Sequence, residues 1–225
     1  IRPDEPDWDD RDRFILSKGH ASPGMYAILA EMGFISKDDL NSYLVLGGVC
    51  QGHVDMKWCP GVDFSAGSLG MGLSFGMGCS IAARLAGSER NIFVMIGDGE
   101  IQEGSIWEAA MAAKHHELGN LKVILDRNRI QNDDFCETQL RMFDIPAKWR
   151  SFGWDVMEID GHNTEEVVKG LDFLISNNDN PAILIANTIK GKGVSYMEDN
   201  PAFHGAAPND EQFRVAMEEL GEVLA

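Results

Sequence analysis

The stretch from Ile92 to Ile130 limits the possible folds more than any other part of the chain. Ile92-Phe93-Val94-Met95-Ile96 is a short, continuous apolar run rich in β-branched residues, the pattern of a parallel strand buried on both faces. It ends on Gly97-Asp98-Gly99-Glu100, and Ile106, Ala109, Ala110, Ala113 and Leu118 follow at helical spacing. Leu121-Lys122-Val123-Ile124-Leu125 then reads as a second strand, closed by Asp126-Arg127-Asn128-Arg129-Ile130. In a right-handed βαβ unit both strands finish at the same edge of the sheet, so Asp98 and Asn128 are expected side by side there.

A carboxylate, an amide oxygen and a nearby main-chain carbonyl are hard oxygen donors of the kind Mg²⁺ or Ca²⁺ selects. Mg²⁺ held by so few protein groups fills its other positions with phosphate oxygens and water. Gly97 and Gly99 are expected to let the backbone turn tightly and approach a diphosphate, with the helix N–H groups aimed at it. A βα turn with an Asp N-cap accounts for Gly-Asp-Gly alone, but not for an Asn thirty positions after Asp98.

At 225 residues with 44% hydrophobic content the chain suffices for one α/β domain over 1–225, and no linker or repeat divides it. No apolar run approaches the ~20 residues that span a membrane, and no leader is visible at the start. A net charge of −17 argues against nucleic acid and anionic membranes, and requires local positive groups to draw in any anionic substrate. Cys50, Cys59, Cys79 and Cys136 form no CxxC pair and read as reduced thiols of a cytoplasmic protein. Metal binding by Cys50, His53 and Cys59 is the alternative, but their spacing is irregular for zinc.

Along the chain, 1–12 reads as an acidic lead-in and Arg13–Leu16 as a strand. Ser22 is expected to cap a helix through Leu29, with Pro23 at its first position. A short helix over 37–44 follows, then a glycine-rich turn at 65–72 opening a helix to about Leu85. Helix over 141–152, strand over 154–159, helix to about Ile175, strand over 181–186 and a last helix capped by Asn209 complete the pattern. The fold class is a doubly wound α/β domain, its mainly parallel sheet carrying helices on both faces and ligands at the carboxyl edge. Taken singly, His20 is a turn residue, His53 and His162 are loop or turn histidines, and Glu103 is an acid favoured by a helix dipole. His115 and His116 read as surface residues, and Lys190 and Lys192 as a solvated loop, with contact to a diphosphate or substrate as the alternative.

Gly97-Asp98-Gly99 followed by Asn128 resembles the thiamine diphosphate motif, and the run from Gly97 to Ala109 resembles the transketolase family. The resemblance implies that Asp98, Asn128 and the Ile130 carbonyl ligate Mg²⁺ and that Gly99, Glu100 and Asn128 meet the cofactor. Ser17-Lys18-Gly19-His20 is similar to the family's Ser-Asn-Gly-His, which places His20 at the diphosphate and the reaction centre. Gln51-Gly52-His53 resembles the Gly-His-Pro loop whose histidine binds the ketose donor. Gly67-Ser68-Leu69 resembles the Gly-Pro-Leu that lines diphosphate and aminopyrimidine, and His204-Gly205-Ala206 the His-Gly-Ala whose histidine reaches cofactor and substrate. Glu103 matches the acid that links two cofactor sites by facing a neighbouring subunit. Arg127 and Arg129 stand where the family is neutral or aromatic, in reach of phosphate by position.

The resemblance stops near residue 225, whereas a full transketolase continues with pyrimidine-binding and C-terminal domains. It also begins after the family's upstream Ser-Gly-His-Pro-Gly segment, so one substrate histidine is expected to be missing. The implied function is the N-terminal subunit of a split transketolase that moves a two-carbon ketol unit between sugar phosphates. A separate C-terminal subunit supplies the pyrimidine-binding domain, in a dimer of heterodimers. The alternatives are a 1-deoxyxylulose-5-phosphate synthase-like subunit, a dehydrogenase component, or a non-catalytic subunit that only holds the cofactor.

Overall fold

Strands β1 (Arg13–Leu16), β2 (Ile92–Gly97), β3 (Leu121–Arg127), β4 (Asp155–Asp160) and β5 (Ala182–Asn187) form one parallel sheet in the order β1-β2-β3-β5-β4. The protein is described here by a computed structural model covering residues 2–224. Ile1, the start of the expected lead-in, and Ala225, the end of the expected domain, lie outside the described residues.

Period-two alternation sends successive strand residues to opposite faces. Ile92, Val94, Ile96, Leu121, Val123 and Leu125 pack with Leu73 of α2 (Met71–Leu85), Ala109 and Ala113 of α3 (Gly104–His115) and, past the four-residue α4 (Cys136–Gln139), Trp149 of α5 (Ile145–Ser151). On the other face, Leu16 packs with Tyr26 and Leu29 of α1 (Ser22–Glu31). There too Leu184 and Ile159 pack with Leu174 of α6 (Thr164–Ser176). The sheet is therefore doubly wound. Among the described residues no helix is long and apolar enough to cross a membrane.

Several element ends differ from the sequence expectation, each for a local reason. Ala21, not Ser22, takes the N-cap position of α1, because a 3-10 turn over Gly19–Ala21 runs directly into the helix. Ser22 is already helical and its hydroxyl donates to the Gly52 carbonyl at 2.8 Å. The expected helix over 141–152 shrinks to α5, since Phe143 sits at φ 54° and Asp144 caps the start by accepting from the Ala147 N–H. Lys37–Ser42 is a 3-10 helix closed by a Ser36/Asp39 capping box, rather than a helix to Leu44. Glu103 holds the N-cap position of α3 and lies just outside the helix, without a side-chain cap bond. The last helix, α7 (Asp210–Leu224), does begin after Asn209, whose side chain accepts from the Gln212 N–H at 2.9 Å.

Candidate functional site

Five segments leave the carboxyl edge of the sheet and its connections to enclose a cleft of about 470 Å³. After β1 come Lys18 and His20; after β2, Asp98, Gly99 and Glu103; after β3, Asn128 and Ile130. His53 and the Gly67–Leu69 turn contribute from the long β1-to-β2 crossover, and Lys190 and His204 from the loop after β5. Gly67 and Leu69 line the cleft, whereas Ser68 between them does not.

Asp98 and Asn128 do meet at the same cleft, on the ends of neighbouring strands. Asp98 is 4% exposed; its oxygens accept from the Gly99 N–H at 2.9 Å and the Arg129 N–H at 2.5 Å. Arg129 reaches it only by adopting φ 69°, an uncommon backbone for a residue with a Cβ. Burial, opposed by the Arg129 N–H and assisted by the nearby Asp126 charge, raises the Asp98 pKa. A bound divalent cation reverses that by favouring the charged form. Asn128 is 6% exposed; its amide donates to Asp126 at 2.9 Å and accepts from the Ile130 N–H at 3.0 Å. Asp98, Asn128 and the Ile130 carbonyl offer oxygen donors only, the chemistry Mg²⁺ prefers.

The turn after β2 is made without left-handed glycine backbone. Neither Gly97 nor Gly99 has a positive φ. Gly99 is required by contact, because a Cβ there lies 2.9 Å from the Gln131 Cβ. The left-handed backbone belongs to Gly70, at φ 81°, which caps α2 and donates its N–H to Glu100 at 2.9 Å. Glu100, 2% exposed, also accepts from the Gly97 N–H at 3.0 Å and from the Ser17 hydroxyl. Its carboxylate thus ties β1, β2 and the start of α2 together, and Glu100 itself lines the cleft.

The His20 and His204 rings lie 5.4 Å apart, centroid to centroid. His20 is still reached by solvent in the open cleft, yet partial burial and the charges of Lys18, His204, Lys190 and His53 push it down to about 4. Burial and the two lysines also lower His204. Both imidazoles are therefore neutral near pH 7 and able to accept a proton. His204 Nδ1 is buried with no hydrogen-bond partner among the described residues, and so suits an acceptor or donor on a bound group. His53 and Glu103 stand at the exposed rim.

Two lysines, Lys18 and Lys190, also stand in the wall. Lys18 is 8% exposed and pairs with Asp126, and burial followed by the Lys18 charge lowers the Lys190 pKa. Together they place two ammonium groups in a wall that also carries the carboxylates of Asp98, Glu100 and Glu103, so an anionic ligand meets local cations although the chain carries a net charge of −17. Lys192, by contrast, points out and pairs with Glu198 at 3.4 Å. The arginines beside Asn128 turn away as well: Arg129 grips Asp199 at 3.0 Å and Arg127 lies 3.8 Å from Glu158. Gln131 and Asn132, also in the wall, directly follow the Asn128–Ile130 segment in the chain, which is the signal that could have found them. The His162 ring reaches beyond its own turn, accepting from the Ile189 N–H in the loop after β5 at 2.7 Å, and His115 and His116 are exposed.

Residues 1–223 match the family described as transketolase, thiamine diphosphate binding domain. The chain is 39% identical to one subunit of the apulose-4-phosphate transketolase of Phocaeicola vulgatus, over 99% of this chain and 79% of that protein. It is also 39% identical to a 6-deoxy-6-sulfo-D-fructose transketolase subunit of a Clostridium species, over 98% of this chain and 80% of that one. The crystal structure of transketolase from Campylobacter jejuni superposes with a TM-score of 0.92 at 31% identity, covering 98% of this chain and 36% of that one. The chain thus spans about a third of that solved transketolase and about four fifths of the two subunits. With a family match over almost its whole length and a sheet that superposes throughout, the chain belongs to the transketolase family of thiamine diphosphate-binding domains.

Proposed function

We propose that the chain is the N-terminal, diphosphate-binding subunit of a split transketolase, a transferase that moves a two-carbon ketol unit from a ketose phosphate to an aldose phosphate. The observation that carries this reading is the meeting of Asp98, Asn128 and Ile130 with His20, His53 and His204 in one cleft, whose wall also holds Lys18 and Lys190. Two relatives named as subunits, each covered over about four fifths of its length, support the division of labour. The reading includes one diphosphate-binding domain in this chain, a separate subunit carrying the pyrimidine-binding domain, a dimer of heterodimers and a cytoplasmic location. The four free cysteines are in keeping with that location.

Asp98, Asn128 and the Ile130 carbonyl would hold Mg²⁺, which would anchor the phosphate groups of the cofactor. Gly99 would bring backbone close to the diphosphate, Gly67 and Leu69 would flank it, and Lys18 and Lys190 would offset its charge. Glu100 acts on the cofactor through the turn it braces. Thiamine diphosphate, when bound, supplies the nucleophilic carbon for C2–C3 cleavage. His20 and His204, neutral near pH 7, take and return protons at the reacting hydroxyls. His53, exposed at the mouth, binds donor hydroxyls, and Glu103 on the rim faces the second cofactor site of the assembly.

The test is ketol transfer by the chain alone and then with its partner subunit. Activity only in the mixture is expected; substantial transfer by the chain alone removes the split-subunit reading. Replacing His20 and His53 by alanine separates an enzyme from a mere cofactor holder, since only the enzyme loses its activity.

A further inference from the structure

Asp126 lies at the end of β3, the central strand, in register with Gly97 of β2 on one side and Ala186 of β5 on the other. Its side chain is 18% exposed and gathers donors from three different strand ends. These are the Lys18 ammonium after β1, the Thr188 hydroxyl after β5 and the Asn128 amide at 2.9 Å.

The Asn128 contact has a directional consequence. Its Nδ2 meets a carboxylate, which only accepts, while its Oδ1 meets the Ile130 N–H at 3.0 Å, which only donates. A flipped amide faces acceptor with acceptor and donor with donor, and a side chain 6% exposed has little water to repair either mismatch. The amide oxygen keeps a second lone pair beyond the Ile130 bond, on the wall of the cleft. The same carboxylate holds the Lys18 ammonium in that wall.

We propose that Asp126 is a positioning residue for the metal–diphosphate site: it locks the Asn128 amide with its oxygen presented to the cation and seats Lys18 beside the anion. This deepens the thiamine diphosphate reading and rests on it. Partners that orient a metal ligand from behind typically change metal affinity about 10–100-fold when removed.

The experiment titrates Mn²⁺, a paramagnetic stand-in for Mg²⁺, into the chain assembled with its partner subunit and thiamine diphosphate, and follows the free ion by electron paramagnetic resonance. Asp126→Ala alone strands a buried ammonium and risks unfolding. The decisive comparison is therefore Lys18→Met against Lys18→Met/Asp126→Ala, with thermal melts run on each. A Mn²⁺ affinity about tenfold or more weaker in the double variant, at a closely similar melting temperature, is the expected result. Equal affinities overturn the positioning role and leave the cofactor reading standing. If the unsubstituted protein takes up no Mn²⁺ in a thiamine diphosphate-dependent way, the cofactor reading falls and this inference with it.

Discussion

The two ends of β3 place a charged residue on the same side of the sheet under opposite conditions. At the start, Lys122 is completely buried and its ammonium donates to the Asn177 carbonyl. Burial pushes its pKa down to about 8. At the other end, Asp126 is surrounded by donors. Burial opposes its charge, but the Lys18 ammonium and the bonds from Lys18, Thr188 and Asn128 outweigh it and hold its pKa below the usual value. One end carries a charge held by a carbonyl dipole, which serves packing alone. The other carries a compensated network facing an open cleft, in whose wall a histidine nitrogen has no partner among the described residues. Polar groups gathered beyond local structural need mark the working edge of the sheet.

The strongest test of that contrast is Asp98→Ala. Loss of a direct metal ligand is expected to weaken thiamine diphosphate-dependent Mn²⁺ binding by more than about 100-fold, measured by the same titration. The melting temperature of the metal-free protein should change little by comparison. Next is His20→Ala, assayed for ketol transfer with the partner subunit, where loss of a general base is expected to cost about 10²–10⁴ in kcat. With His20 held at about 4, its limb of the pH–rate profile should fall as pH drops through about 4 rather than through 6.5.

Lys190 and Lys192 offer a finer comparison two positions apart. Lys190→Ala removes a cation from the cleft wall and is expected to weaken thiamine diphosphate binding about tenfold in calorimetric titration. Lys192→Ala breaks only an exposed pair with Glu198 and should change stability by less than about 0.5 kcal/mol. Equal effects of the two would erase the distinction between wall and surface.

The smallest effect belongs to the far end of β3. Between pH 8 and 10.5 the unfolded state binds more protons than the folded state, because the folded Lys122 pKa is depressed from 10.5 to about 8. Stability should therefore rise with pH across that window, its penalty being fully present below pH 8. Lys122→Met is expected to flatten that rise and lift the melting temperature near pH 7 by about 2–4 °C, read by calorimetry.

Much of this architecture was legible in the chain. Short apolar, β-branched runs separated by helical spacing give parallel strands buried on both faces, and all five strands fall within a residue or two of those runs. The pairing of Asp98 with Asn128 follows from connection handedness, because a right-handed crossover must bring two parallel strands to finish together. Helix ends were less legible at 22 and 145, where a 3-10 turn and a cap overrode periodicity.

The cleft's cations could not be read the same way. Lys18 sits in a four-residue turn and Lys190 in a glycine-bearing loop, contexts in which lysines are usually solvated. Only its departure from the family's Ser-Asn-Gly-His pattern set Lys18 apart. Arg127 and Arg129, which adjoin a metal-ligand candidate in sequence, were the plausible cations by position and turned outward to Glu158 and Asp199.

Local pattern was thus enough to set which segments become strands, in which direction they run, and which residues stand at their carboxyl ends. Those properties depend on periodicity, sterics and the handedness of short connections, all of which act over neighbouring residues. Which side chain turns into the cleft, and which titrates abnormally there, was settled only by folding. Asp126 draws donors from positions 62 and 108 residues away, and burial and Coulomb interactions depend on distance in space, which sequence order does not record.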